Sequence, residues 1–143
     1  MKPFPHRYEV RIAGGPQGYA TLKSGGVPDL RTAPPVDFDG PGDAWSPEQL
    51  LLAAVEACFL LTFRAIAAAS RIEFASLAVE SEGIVDRREG RTRFTEIILR
   101  PRVTLPAGAD WVRVQRALEK AEQTCLVSAS LSTPIRLEPE IAG

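Results

Sequence analysis

The chain has 143 residues, of which 45% are hydrophobic and 24% are charged, a composition typical of one folded domain rather than a disordered chain. Seventeen basic against eighteen acidic residues leave a net charge of −1, so no global field attracts nucleic acid or an anionic membrane. No apolar run follows the positive charge at the N-terminus, which argues against a secretory signal. We expect a single cytoplasmic domain over residues 1–143 that binds neither nucleic acid nor membrane.

The N-terminal part of the chain has the pattern of short strands. Residues 8–13 and 19–23 predict a hairpin, because the segment between them is rich in glycine and proline. Residues 27–32 are a candidate third strand. The proline- and glycine-rich segment 33–43 predicts an irregular loop.

A long helix is predicted to follow this loop. Ser46 suits the N-cap, Pro47 the first helical position, and Gln49 completes a capping box. Residues 50–69 are almost entirely apolar, and the two ionisable groups within them make a membrane span costly. A helix that is apolar on all sides is otherwise a buried central helix. One small domain cannot cover so much apolar surface, which indicates a partner subunit.

The second half of the chain predicts a long β-hairpin, a helix and a strand. Residues 74–85 and 92–105 form the hairpin, and Asp110 caps an amphipathic helix. The core-facing stripe of this helix lies within about 80° of arc and consists of Trp111, Val114, Leu118, Ala121 and Cys125. Residues 133–141 contain two prolines and suit an edge strand. The fold class is therefore α+β, with helices packed on antiparallel sheets.

Two cysteines, Cys58 and Cys125, are the candidate reactive groups. Their spacing matches no metal-ligand pattern, and the lone His6 cannot complete a zinc site, so we expect no metal and no cofactor. In a reducing compartment a structural disulfide would not persist. The pair is therefore either redox-active or two buried core thiols. Both cysteines lie on core-directed helix faces, so their side chains could meet, and a disulfide between them would require Cα atoms within about 7 Å of each other.

Two motifs around these cysteines resemble those of the OsmC/Ohr family. Residues 46–59 are similar to the helix that carries the reactive cysteine there, with Pro47-Glu48-Gln49-Leu50 at its start and Ala57-Cys58-Phe59 at its end. Cys125-Leu126-Val127-Ser128 resembles the family's second motif, Cys-Pro-Val-Ser, with leucine in place of proline. The order of elements matches over nearly the whole chain. The resemblance implies an intertwined homodimer with active sites at the subunit interface.

The resemblance also implies a chemistry. The Cys58 thiolate attacks a hydroperoxide and becomes a sulfenic acid, Cys125 condenses with it to a disulfide, and an external dithiol of lipoyl or other type restores both thiols. Organic hydroperoxides are the expected substrates because an apolar helix lines the site. The alternative is a non-catalytic OsmC-like dimer that binds an apolar small molecule at the interface. A third interpretation is two structural core cysteines and no site.

Glu48 and an arginine complete the site that the resemblance implies. Taken alone, Glu48 is an acidic residue in a first helical turn, which the helix dipole favours. It lies ten residues before Cys58, about 15 Å along one helix, so it would serve the partner subunit's cysteine. Where Ohr proteins have the arginine, this chain has Pro16. Arg31 and Arg64 are the other candidates, although Arg64 lies about 120° around the helix from Cys58.

The two cysteines are expected to differ. Cys58 lies in the middle of the apolar helix, too far from its N-terminus for the dipole to lower its pKa. Its thiol is expected to be shielded, and to need a nearby cation. Cys125, at the end of an amphipathic helix, is expected to be freer to move.

Overall fold

The computed structural model describes residues 1–143 and is α+β, as the sequence predicts. The chain forms two compact units, Met1–Leu51 and Leu52–Gly143. The single domain over residues 1–143 stays a prediction.

The first unit contains a small antiparallel sheet. Its strands are β1 (Arg11–Ala13), β2 (Ala20–Lys23) and β3 (Leu30–Thr32), in the order β1-β2-β3. All three predicted strands are present but shorter than predicted. A single 3-10 turn, Val36–Phe38, interrupts the segment predicted to be irregular. The side chain of Thr32 and the N–H of Ala33 donate to the Trp45 carbonyl, which closes this loop next to the following helix.

Helix α1 spans Pro47–Ala69 and has the predicted cap. The N–H of Gln49 donates to Ser46 Oγ at 3.1 Å, and the N–H of Ser46 donates to Gln49 Oε1 at 2.9 Å, which is a reciprocal capping box. By length and composition, α1 is the one helix of the chain apolar enough to cross a membrane.

Helix α1 is buried along one stripe only. The buried side chains recur every four residues, so they lie on one face, and they are Val55, Phe59, Phe63 and Ala67. Leu61, on another face, is 56% exposed. The prediction of a helix buried on all sides is therefore not met within a single chain, because the sheet and the second helix cover one face.

The second unit contains a mixed sheet. Strands β4 (Ser76–Arg88) and β5 (Arg91–Thr104) form the predicted long antiparallel hairpin. The predicted strand 133–141 is instead two short strands, β6 (Ile135–Leu137) and β7 (Glu140–Ala142), which pair with β5 in parallel. Pro139 lies between them and has no N–H to continue the ladder. The predicted antiparallel arrangement thus holds for the first sheet and for the hairpin.

Two further helices lie between β5 and β6. Helix α2 (Trp111–Thr124) begins at the predicted N-cap, because Asp110 Oδ1 accepts from the N–H groups of Val112 and Arg113. A short helix, α3 (Leu126–Ala129), follows at once and was not predicted. The predicted stripe of α2 is buried except for Trp111, which is 50% exposed. Trp111 is the first residue of the helix, and its ring lies beside the C-terminal Gly143 instead of in the core.

The core of the second unit joins α1, β5 and α2. Buried residues of β5 and α2, and Leu105 just after β5, pack against the α1 stripe; they are Leu99, Val103, Leu105, Val114, Ala117, Leu118 and Ala121. This packing fixes the end of α2 relative to the middle of α1, where the two cysteines are located.

Candidate active site

The two cysteines are brought together by this core. Cys58 lies in the middle of α1, directly before the buried Phe59, and Cys125 lies at the junction of α2 and α3. Both are free thiols, and they lie close enough for each to shift the pKa of the other. Sequence spacing placed both side chains on core-directed faces, and the structure places them side by side.

The exposure of the two thiols is the reverse of the expectation. Cys125 is 0% exposed, whereas Cys58 is partly exposed. Cys58 lies one residue from the buried stripe of α1 and therefore at its margin. Cys125 follows Ala121 by four residues and continues the buried stripe of α2. Solvent thus reaches the first cysteine of the chain, and the second is shielded.

Hydrogen bonds lower the pKa of Cys58. Burial acts in the opposite direction, but the Cys125 thiol, the N–H of Val127, the Thr62 hydroxyl and the N–H of Leu126 together outweigh it, and the pKa lies below its ordinary value. Since a thiolate accepts hydrogen bonds and cannot donate them, each of these groups is a donor to Cys58. The reactive form of a cysteine is therefore favoured at Cys58.

The pKa of Cys125 moves the other way. Burial raises it first, and the hydrogen bond to Cys58 raises it further, because Cys125 must keep its proton to donate. The side chain and N–H of Ser128 oppose this in part. Of the two thiols, Cys58 therefore loses its proton more readily and Cys125 keeps its proton more readily. In chemical terms the pair is a nucleophile with a second thiol beside it.

The expected activating cation does not contribute to the lowered pKa of Cys58. No charged group is among the causes of its lowered pKa. Arg64 is exposed and forms no ion pair. Arg31 lies 4.2 Å from the centre of the Tyr19 ring and donates to the Asp43 carbonyl. Neutral donors, not an arginine, stabilise the thiolate within this chain.

Glu48 lies in the first turn of α1, as predicted. Its Oε1 atom is buried, has no hydrogen-bond partner, and belongs to no ion pair. The side chain borders an open, mainly apolar pocket of about 370 Å³ in the first unit. The other residues around this pocket are Gly18, Ala20, Thr32, Ala33, Pro34, Pro35, Phe38 and Pro47.

Three of the groups around Cys58 were not identified from the sequence. Thr62 follows Cys58 by four residues, a spacing that puts it one turn away on the same helix face. The N–H groups of Leu126 and Val127 depend on the turn from α2 into α3, for which no sequence signal was recognised. No group of three or more His, Cys, Asp or Glu side chains is placed to hold a metal ion.

Comparison with known proteins gives a consistent match. The family model for OsmC-like proteins matches residues 40–140. The protein YmaD of Bacillus subtilis, which is uncharacterised, is 34% identical over 109 residues, covering 74% of this chain and 73% of YmaD. An organic hydroperoxide resistance protein of Xanthomonas axonopodis is 29% identical over 114 residues, covering 78% of this chain and 77% of that protein.

A solved structure gives the same fold. The structure of an OsmC-like protein of unknown function from Vibrio cholerae superposes with a TM-score of 0.88, covering 94% of this chain and 99% of that one. The two sequences are 18% identical, so this similarity concerns the fold.

Proposed function

The chain belongs to the OsmC-like protein family, and from this premise we propose that it is a thiol peroxidase that reduces organic hydroperoxides. The observation that carries the proposal is the contact between Cys58 and Cys125, in which one thiol has a lowered pKa and the other a raised one. A peroxidase needs this asymmetry, because one sulfur must attack as thiolate while the other waits as a thiol. The name of the Xanthomonas relative agrees with a role in peroxide resistance.

The proposed reaction has three balanced steps. The Cys58 thiolate attacks the distal oxygen of ROOH, the O–O bond breaks, and Cys58 sulfenic acid and an alkoxide form; the alkoxide takes a proton from water to give the alcohol. The Cys125 thiol then condenses with the sulfenic acid, releasing water and forming a disulfide. An external dithiol reduces the disulfide and is itself oxidised to a disulfide.

Burial decides the division of roles. Cys58 is partly exposed, so a hydroperoxide can reach it, whereas Cys125 is fully buried and is accessible mainly to a group formed on Cys58. We assign Cys58 as the peroxidatic cysteine and Cys125 as the resolving cysteine. No bound cofactor is needed, since the electrons come from the dithiol. The cytoplasm, with its reduced thiol pool, suits this cycle.

The active form is proposed to be a homodimer. Leu61 of α1 remains 56% exposed in the single chain, and a second copy would cover it. In that dimer, Glu48 of one subunit would serve the Cys58 site of the other. Its unpaired, buried Oε1 is an acceptor without a donor, which supports a role completed by a second chain or a ligand.

Disulfide mapping after a single oxidation tests the proposal. The reduced protein is treated with one equivalent of tert-butyl hydroperoxide, and cysteine peptides are identified by mass. We expect an intrachain Cys58–Cys125 disulfide and consumption of the peroxide, with turnover when dihydrolipoamide is supplied. The matched control is Cys58→Ser, which should leave the peroxide intact. Free thiols after treatment, or interchain bridges only, would contradict the proposal.

A second candidate function is supported by a specific observation. The apolar pocket of about 370 Å³ beside Glu48, together with the absence of an arginine at Cys58, fits a dimer that binds a small apolar molecule without catalysis. The same oxidation experiment separates the two functions. Inert thiols, combined with saturable binding of an apolar fluorescent probe, would favour the binding function.

A further inference from the structure

The hydroxyl group of Thr62 has an unusual partner. Threonine inside a helix commonly donates its hydroxyl to the carbonyl oxygen four residues earlier, and Thr124 does this in α2, where Oγ1 lies 2.8 Å from the Lys120 carbonyl oxygen. Thr62 has the same helical position relative to Cys58. Its Oγ1 instead lies 3.9 Å from the Cys58 sulfur. The two threonines therefore use their hydroxyls differently.

The direction of helical side chains explains this contact. Side chains on a helix lean toward its N-terminus, so Thr62 lies over the residue one turn before it, which is Cys58. The β-branched side chain has few rotamers, which holds the hydroxyl in place. Both residues are partly buried. The hydroxyl is thus held beside the sulfur.

We propose that Thr62 is a positioning residue for the peroxidatic cysteine, and that its hydroxyl donates to the Cys58 thiolate in place of the missing guanidinium. The inference rests on the proposed function, which assigns the attack on peroxide to Cys58. A thiolate has no hydrogen, so the shared proton of this contact belongs to Thr62 whenever Cys58 is ionised. The hydroxyl stabilises the charged form and orients a lone pair of the sulfur.

The groups that lower the pKa of Cys58 are neutral hydrogen-bond donors. Cys125 is the titratable group in contact with Cys58, and it is a neutral donor with a raised pKa. Glu56, on the same helix, accepts a hydrogen bond from Ser81 at 2.9 Å. The N–H groups of Leu126 and Val127 complete the set that lowers the pKa of Cys58. Among these donors, only the Thr62 hydroxyl can be removed without changing the backbone or the disulfide partner.

The test is the rate at which Cys58 is alkylated by iodoacetamide as a function of pH, measured on the Cys58 peptide by mass. Thr62→Val replaces the hydroxyl by a methyl group of similar size, and Thr62→Ser keeps the hydroxyl. At a fixed pH below the midpoint of the profile, Thr62→Val should react about three- to tenfold more slowly than the unmodified chain. Its profile should shift to higher pH, and Thr62→Ser should restore the original profile.

Two results would overturn the inference: an unchanged profile for Thr62→Val, or a profile for Thr62→Ser that is shifted as far as that of Thr62→Val. Circular dichroism checks that each variant is folded, and Thr62→Ala replaces Thr62→Val if the valine variant is not. The measurement uses no peroxide. A protein that consumes no hydroperoxide would therefore refute the proposed function, while the alkylation profiles decide the role of Thr62 independently.

Discussion

Cys125 is fully buried, Cys58 beside it is partly exposed, and the two thiols shift each other's pKa in opposite directions. This relationship is produced by the core, since the buried stripes of α1 and α2 hold the two helices at a fixed distance. The proximity of the two thiols contributes to both of these opposite pKa shifts. A pair in which the accessible thiol ionises more readily and the shielded thiol keeps its proton suits an attack followed by a condensation.

Replacing Cys58 and replacing Cys125 should impair the peroxidase activity in different ways. Cys58→Ser should abolish peroxide consumption, since a serine hydroxyl is not ionised at neutral pH. Cys125→Ser should allow a single turnover and then accumulate sulfinic and sulfonic acid at Cys58, because no thiol traps the sulfenic acid. Intact-mass measurement after stepwise addition of peroxide distinguishes these states. Full multiple-turnover activity in both variants would refute the assignment of roles.

The oxidation of Cys58 should depend on pH in a way that Cys125 controls. The thiolate reacts, so the rate should rise as pH increases through the pKa of Cys58 and level off above it. Since the Cys125 thiol lowers that pKa, Cys125→Ala should move the profile to higher pH. Cys125→Ser keeps a hydroxyl donor and should move it less. Single-turnover stopped-flow kinetics across pH measures the three profiles, and three coincident profiles would exclude Cys125 as a donor.

The proposed dimer should depend on the exposed face of α1. Leu61 is 56% exposed in the single chain, and Leu61→Glu places a charge where the second copy is proposed to pack. The variant should be monomeric at micromolar concentration in sedimentation experiments, whereas the unmodified chain should be a dimer. Val112→Glu is the matched control, because Val112 is 60% exposed but lies on α2. A stable monomer of the unmodified chain would refute both the dimer and the trans role of Glu48.

The loop of the first unit should not tolerate a side chain at Gly40. A Cβ atom there would lie 1.6 Å from the Pro34 carbonyl oxygen, which is backbone and cannot rotate away. Gly40→Ala should therefore lower the stability by about 3 kcal/mol or more. Gly15→Ala, where a Cβ atom meets nothing within 4 Å, is the control and should be close to neutral. Chemical denaturation of both variants checks this, and equal midpoints would contradict it.

Much of the fold could be predicted from local sequence. The capping box at Ser46 and the N-cap at Asp110 mark helix starts, because a few side chains satisfy the first N–H groups. The parallel pairing of β6 and β7 with β5 could not be predicted, since it joins segments distant in sequence. The hydrophobic pattern of the sequence also does not predict how exposed to solvent a residue is when it lies at the edge of a buried helix face. For this reason the relative burial of Cys58 and Cys125 was predicted in the wrong order.

The site could be predicted only in part for a related reason. The two cysteines lie on helix faces that periodicity assigns to the core, so their meeting could be anticipated. The N–H donors of Leu126 and Val127 depend on the direction of the backbone at the start of α3, and no side chain in the sequence predicts that direction. Thr62 is the exception, since a spacing of four residues on a helix already predicts contact with Cys58.

The trans role of Glu48 can be tested by mixing two variants, one with reduced activity and one with none. Glu48→Ala should lose at least tenfold in peroxide turnover if Glu48 completes the site, and Cys58→Ser should lose all of it. After exchange of subunits, a mixed dimer contains one site with Cys58 from the first variant and Glu48 from the second. If Glu48 acts across the interface, this site is complete, and the mixture should recover activity.

The expected recovery is a quarter of the activity of the unmodified protein. Equal mixing makes half of the dimers mixed, and one of the two sites in each is complete. If Glu48 serves its own chain, every Cys58 in the mixture lies in a site without Glu48, and no recovery occurs. The control is a mixture of Cys58→Ser with Cys125→Ala. No chain in its mixed dimers carries both cysteines, so this mixture should stay inactive in multiple turnover. Recovery in the test mixture and none in the control would therefore place Glu48 at the partner's cysteine.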